Sequence, residues 1–114
     1  MSSNAAVVVE HIGSVALLHV TGEVDMETEP LLRENLAMAL AAEPAALVVD
    51  LTGVTFFASA GLHVLVDLQH DMTARSLEMR VVADSRIVLR PLQITGVDQL
   101  VTVVSSVDQA LAPS

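Results

Sequence analysis

The chain has 114 residues, 53% of them hydrophobic, with fourteen acidic side chains against five basic ones and a formal net charge of −9. That length fits one compact domain with one core, no apolar stretch approaches the ~18 residues a membrane span needs, and the absence of cysteine removes disulfides, thiol redox chemistry and cysteine zinc sites. All five basic residues are arginine and the only aromatics are two phenylalanines, so the chain would repel a phosphate backbone and offers almost nothing on which to stack a base, which argues against nucleic acid as a direct partner.

Met1-Ser2-Ser3-Asn4 lacks the basic start and apolar run of a secretory signal, which predicts a cytoplasmic protein. The first four or five residues and Ala112-Pro113-Ser114 read as loose ends. Between them, Val7 to His11 and Ser14 to Val20 are β-branched runs joined around Gly13, the pattern of a hairpin. After Gly22 an acidic segment, Glu23 to Pro30, leads into Leu31-Leu32, Leu36 and Ala39-Leu40 at helical spacing. Thr28 is the expected N-cap, with Pro30 in the first turn and Glu27 and Glu29 at the positive end of the helix dipole.

Ala45 to Leu51 is a near-continuous apolar run that predicts a central strand, ended by Thr52-Gly53. A second helix starts at Ser59-Ala60-Gly61 and carries Leu62, Leu65-Val66, Gln69 and Met72, with Arg75 at its negative end. A strand over Met79 to Ala83, a cap at Asp84-Ser85 and a third helix from Ile87 to Ile94 follow, the helix short or kinked at Pro91 and stopped by Thr95-Gly96. Leu100 to Val104 and Ser106 to Leu111 supply a last strand and a last helix. The whole predicts an α/β fold: one domain over residues 1–114 with its core at about 7–111, a mixed sheet opened by an N-terminal hairpin and otherwise mostly parallel, and about four helices.

The segment from Asp50 to Leu65 carries the most chemical information. A buried strand ends in a turn and a serine opens an amphipathic helix, with Ala60 and Gly61 too small to shield its hydroxyl. On the residues alone Ser59 is first an N-cap serine. It is next a modification site, since free backbone N–H groups and the helix dipole welcome a phosphate there. A catalytic serine is the weakest reading, because no Gly-x-Ser-x-Gly surrounds it and no histidine or acid is placed to activate it.

Other polar groups point to less. Glu23, Asp25, Glu27 and Glu29 read as a solvated loop and dipole partners rather than a cation site. His63, Asp67 and His70 share a stripe of the second helix without the spacing of known zinc motifs, and His11 and His19 read as ordinary strand residues. No lysine exists to build a phosphate-binding loop. Neither a metal nor a cofactor is expected.

Three blocks carry a resemblance: Gly22-Glu23-Val24-Asp25-Met26-Glu27-Thr28, then Asp50 to Leu65, then Leu92-Gln93-Ile94-Thr95-Gly96-Val97-Asp98-Gln99-Leu100. In that order and at those separations they resemble the STAS domain family, and within it the bacterial anti-sigma factor antagonists, over about residues 7 to 111. The resemblance implies a protein that binds an anti-sigma factor with serine kinase activity while one serine is unmodified, thereby releasing a sigma factor, and that lets go once the serine is phosphorylated. A phosphatase would reset it. That serine falls on Ser59. The family's preceding Asp is Ala58 here and its following Ser or Thr is Ala60, leaving Ser59 as the phosphoacceptor candidate of the loop. The partner-binding surface implied comprises Asp25, Thr28, Phe57, Ala58, Ser59, Ala60, Gly61, Leu62 and His63. The runner-up is a STAS-type regulatory subunit of a transporter ATPase with no phosphorylation switch, a reading that the two alanines favour. An enzyme would need a nucleophile and base that the sequence does not pair.

Overall fold

Alternating short β-branched runs and helical repeats fold as the pattern demands: strands side by side, helices across their faces. The structure, a computed structural model, describes residues 4–112. Met1–Ser3 and Pro113–Ser114, on which the expectations of loose ends and of no secretory start largely rest, lie outside the described residues. A tight turn at Gly13-Ser14 folds β1 (Ala5–Ile12) back on β2 (Val15–Val24), antiparallel, from Ile12 opposite Val15 to Ala5 opposite Gly22. Then come α1 (Glu29–Ala41), β3 (Ala46–Phe57), α2 (Ser59–Ala74), β4 (Glu78–Val82), α3 (Arg86–Thr95), a 3-10 turn at Val97–Gln99, β5 (Thr102–Val104) and α4 (Val107–Leu111). Strand order is β1-β2-β3-β4-β5, and every pair after the hairpin is parallel.

Successive strand residues point to opposite faces, and both faces of the inner strands are apolar. Leu18, Val20, Leu47, Val49, Leu51 and Val81 meet Leu32 and Leu36 of α1, Val64, Leu65, Leu68 and Met72 of α2, and Val88 and Leu92 of α3. Leu17, Val48 and Val82 face the other way, against Ala110 of α4. Arg80 fastens that short helix by donating from Nη1 to the carbonyls of Ala110 and Ala112, both at 2.9 Å. No helix among the described residues is long and apolar enough to cross a membrane.

Four local expectations need correction. Thr52-Gly53 does not end the central strand; β3 continues to Phe57 because β2 also continues past Val20, and Gly53 pairs with Thr21. A Cβ at Gly53 would lie 2.7 Å from Thr21 Cγ2, so the glycine that reads as a terminator is a point of close strand approach. α3 is not cut short at Pro91 but runs through it to Thr95. Leu100 closes the 3-10 turn instead of opening β5, its N–H donating to the Val97 carbonyl at 2.9 Å.

The fourth correction concerns His19. It stands on the sheet face that α4 only partly covers and ties three strands together, with Nδ1 at 2.9 Å from Asp50 Oδ2 and Nε2 at 3.0 Å from Glu10 Oε1. The second oxygen of Asp50 accepts from the N–H and the hydroxyl of Thr52 at 3.0 and 2.8 Å. Both ring nitrogens face carboxylates, an arrangement only the doubly protonated ring satisfies. The hydrogen bond to Glu10 raises the His19 pKa above its ordinary value, Asp50 adds to the rise, and partial burial offsets part of it.

Two outcomes follow from these contacts. A pKa raised on folding contributes stability that is fully present below the unfolded value near 6.5 and is lost as pH rises through the folded value. Urea unfolding at pH 6 and pH 8 is therefore expected to give a higher midpoint at pH 6 relative to His19→Gln, with the two proteins converging toward pH 8; a gap independent of pH would contradict it. Gly22 holds φ +88 inside β2, and a Cβ there would overlap the Asn4 carbonyl. Gly22→Ala is expected to cost about 1–3 kcal/mol in the same measurement, or more if Asn4 cannot move.

Candidate functional site

The carboxyl ends of β2 and β3 build the site. β4 pairs β3 only along Ala46–Asp50, so among the described residues the remainder of β3 is hydrogen-bonded to β2 alone; β1 flanks β2 as far as Gly22, and Glu23–Val24 with Phe56–Phe57 extend past it as a two-stranded tip. Val24 pairs with Phe57 at its end, and the Ala58 N–H donates to the Val24 carbonyl at 2.8 Å. That last bond joins the start of α2 to the β2–α1 loop, bringing Asp25–Thr28 beside Ser59.

The loop holds itself together. Thr28 Oγ1 donates to the Glu23 carbonyl at 2.8 Å and accepts the Asp25 N–H at 2.9 Å. Asp25 Oδ1 accepts the N–H groups of Glu27 and Thr28, both at 3.0 Å. Thr28 occupies the N-cap position of α1, as expected, but in helical φ/ψ and without a capping bond from its side chain, whose hydroxyl is used to close the loop. At 3% exposure it supports the surface instead of forming part of it.

At the other loop the cap is Ala58, in extended conformation with φ −94 and ψ 177, and Ser59 is the first helical residue. The plain N-cap reading of Ser59 is thereby corrected: an alanine has no capping oxygen, and the exposed serine lies one position further on. The N–H groups of Ser59 and Ala60 head the helix, where no preceding turn supplies acceptors, while that of Gly61 already reaches the Ala58 carbonyl at 2.9 Å. Positive helix-end dipole and uncommitted donors thus surround the Ser59 hydroxyl.

The other candidate residues divide by accessibility. His63 is exposed and Asp25, Ala58, Ala60 and Leu62 are half-buried, whereas Phe57 and Gly61 are buried. A Cβ on Gly61 would meet the Phe57 ring at 2.6 Å and Val24 Cγ1 at 2.9 Å. Its small size therefore seats α2 on the strand tip and does not, as the sequence implied, leave open space beside Ser59. Two residues the sequence reading missed are Met26, 80% exposed, and Phe56, 51% exposed, which flank the loops as large apolar side chains in water. A methionine within an acidic turn and the first aromatic of Phe56-Phe57 were the available signals.

Two carboxylates of the acidic segment have partners within the chain. Asp25 is engaged by the backbone, Glu29 pairs with Arg33 at 2.7 Å, and no group of three potential metal ligands exists among the described residues. In the α2 stripe Asp67 is drawn to Arg33 Nη2 at 2.9 Å, away from a role with His63 and His70. A groove of about 430 Å³ runs between α1 and α2 over Leu36, Leu40, Val64 and Leu68, and none of its lining residues belongs to the candidate set. The arrangement around Ser59 is a projecting surface suited to a protein partner, not a cleft that would enclose a small substrate.

The STAS domain model matches residues 6–110. The anti-sigma-F factor antagonist RsfB of Mycobacterium tuberculosis is 35% identical over 104 residues, covering 91% of this chain and 84% of that protein. An anti-sigma-B factor antagonist of Listeria monocytogenes is 30% identical over 86 residues, 75% of each. Among solved structures, an anti-sigma factor antagonist from Mycobacterium paratuberculosis superposes with a TM-score of 0.84 at 33% identity, over 95% of this chain and 92% of that one. With a family match across nearly its whole length and relatives this similar, the chain belongs to the STAS domain family.

Proposed function

We propose that this protein is an anti-sigma factor antagonist: a binding module without catalytic turnover that engages an anti-sigma factor through the Ser59 surface and so frees a sigma factor. The observation that carries the reading is the exposed Ser59 at the first position of α2, on a projecting tip with helix-end N–H groups around it. The names of the relatives support the choice of partner, and favour it over a transporter ATPase. The anti-sigma factor is a serine kinase that transfers the γ-phosphoryl group of ATP to the Ser59 hydroxyl, and a phosphatase restores the free serine.

In this mechanism the switch acts at the interface. A phosphate adds about −1.5 to −2 of charge, which a helix N-terminus favours by roughly 0.3–1 kcal/mol, so the domain has no reason to rearrange. The carboxylates of Asp25 and Glu27, on the loop joined to the start of α2, oppose the new charge. The partner meets a dianion where it had fitted a neutral hydroxyl, and every ~1.4 kcal/mol of repulsion or desolvation lowers affinity tenfold. A few such steps separate bound from free.

Ser59→Ala is expected to hold the anti-sigma factor with near wild-type affinity and to resist inactivation, whereas Ser59→Glu and the phosphorylated protein bind at least about tenfold more weakly by titration calorimetry. Equal affinity for all four forms would remove the switch. Mass spectrometry after incubation with the partner and ATP should place the phosphate on Ser59. Backbone NMR shifts on phosphorylation are expected to stay within about Phe57 to Val66 and Asp25 to Thr28, with stability equal or slightly higher; shifts spreading along Leu47–Leu51 and Val81–Ala83 would mean a conformational switch in place of an interfacial one.

A further inference from the structure

The two edges of the sheet are unlike each other. β5 is three residues long, whereas β1 runs for eight with β2 as its only neighbour among the described residues. Unpaired edges of that length are normally blunted by proline, lysine or a bulge. The segment Ala5-Ala6-Val7-Val8-Val9-Glu10-His11-Ile12 has none of the three, its register with β2 being unbroken. Its one carboxylate, Glu10, is held over the sheet face by His19. Nothing in the edge strand itself guards against pairing.

The register states which backbone groups are free. A two-residue turn makes Ile12 and Val15 a hydrogen-bonded pair, and in an antiparallel ladder such pairs alternate. Glu10, Val8 and Ala6 therefore bond to β2, an assignment with which the Glu23 N–H to Asn4 carbonyl bond at 3.1 Å agrees in phase. Ala5, Val7, Val9 and His11 direct their N–H and C=O groups outward.

We propose that β1 is the docking edge for a second copy of this chain, joined antiparallel about a two-fold axis at Val8. In that register Ala5 pairs with His11 of the second copy and Val7 with Val9, so every outward-facing residue exchanges both hydrogen bonds. A slip of two residues in either direction carries Ala5 or His11 past the end of the opposing strand. The centred register also sets Val8, 60% exposed in the single chain, against its own copy in a non-hydrogen-bonded pair, the spacing of closest side-chain contact at about 4.5 Å between Cα atoms. Ala6 falls opposite Glu10, so no like charges face each other directly. The symmetry turns the β2 strands of the two copies in opposite directions and puts the two Ser59 surfaces at opposite ends of a continuous sheet.

One force opposes the pairing: each copy carries a net charge of −9. Screening shortens its reach from about 30 Å at 0.01 M salt to about 3 Å at 1 M, so association should strengthen with salt, the reverse of an ion-paired interface. A single pair of strands is a small interface, and the dimer belongs to the weak, exchanging class.

Sedimentation of the full chain from about 10 µM to 1 mM, in about 20 and 500 mM sodium chloride, is expected to show a monomer–dimer equilibrium whose dimer fraction rises with both protein and salt. Val8→Lys, at an exposed position, should weaken it about tenfold or more. Val9→Pro removes an outward N–H that β2 does not use and should do the same. Hydrogen exchange gives a readout independent of any variant's folding: the Val7, Val9 and His11 amides should slow as concentration rises, while those of Val8 and Glu10 are protected throughout. A monomer across the whole range would overturn the proposal, as would a dimer that Val8→Lys leaves intact or one whose concentration-dependent protection falls outside β1.

Discussion

The parallel pairing of β2 with β3 beyond the reach of β4 is the constraint on which the rest of the molecule depends. Up to Asp50 the central strand has neighbours on both sides; beyond it, among the described residues, only β2 supplies ladder hydrogen bonds. Three adjustments keep the pair together past that point, register shifts after His19 and after Gly22 and the side-chain-free Gly53 beside Thr21. The buried side chains of Val24, Val54 and Phe57 then give α2 and α1 an apolar floor to rest on. If the strands separated at Asp50, Ser59 would belong to a long loop instead of the first turn of a helix on a firm base.

The two loops at the tip serve different ends. In the β2–α1 loop the side chains turn inward to the backbone, with Thr28 donating to Glu23 and Asp25 gathering the N–H groups of Glu27 and Thr28. Such a loop holds its shape without help from a partner, which lowers the ordering cost of binding. The β3–α2 junction leaves its serine and leading N–H groups uncommitted, with an alanine in the capping position. A preorganised rim beside an unsatisfied centre suits a surface whose recognition depends on one hydroxyl, and the proposed switch needs no other moving part.

His19 supplies the complementary constraint on the opposite sheet face. α4 covers only part of that face, so the antiparallel hairpin has little apolar cover there. The His19 ring, bridging Glu10 and Asp50, crosses from β1 through β2 to β3, and Thr52 completes the carboxylate's partners. Polar satisfaction does on this face what burial does on the other. The same bridge keeps Glu10 over the face and off the free edge of β1, which bears on how that edge meets another strand.

The chain alone determined its element types, since period and composition are local properties: the 3.6-residue spacing of Leu32, Leu36 and Ala39, the unbroken run Leu47 to Leu51, and the glycine after Thr95 each act within a few residues. It also made Ser59 the residue to watch, because a small-residue helix start after a buried strand is written in consecutive letters. Tertiary structure decided what depended on neighbours distant in sequence. Whether β3 stops at Gly53 depends on Thr21 across the ladder. Whether Gly61 is open or filled depends on Phe57 and Val24. Whether His19 is an idle strand residue or a three-strand bridge depends on Glu10 and Asp50, nine and thirty-one positions away. Local periodicity records which face a residue takes, but not what another strand brings to within 3 Å of it; that requires the register, which the whole sheet sets at once.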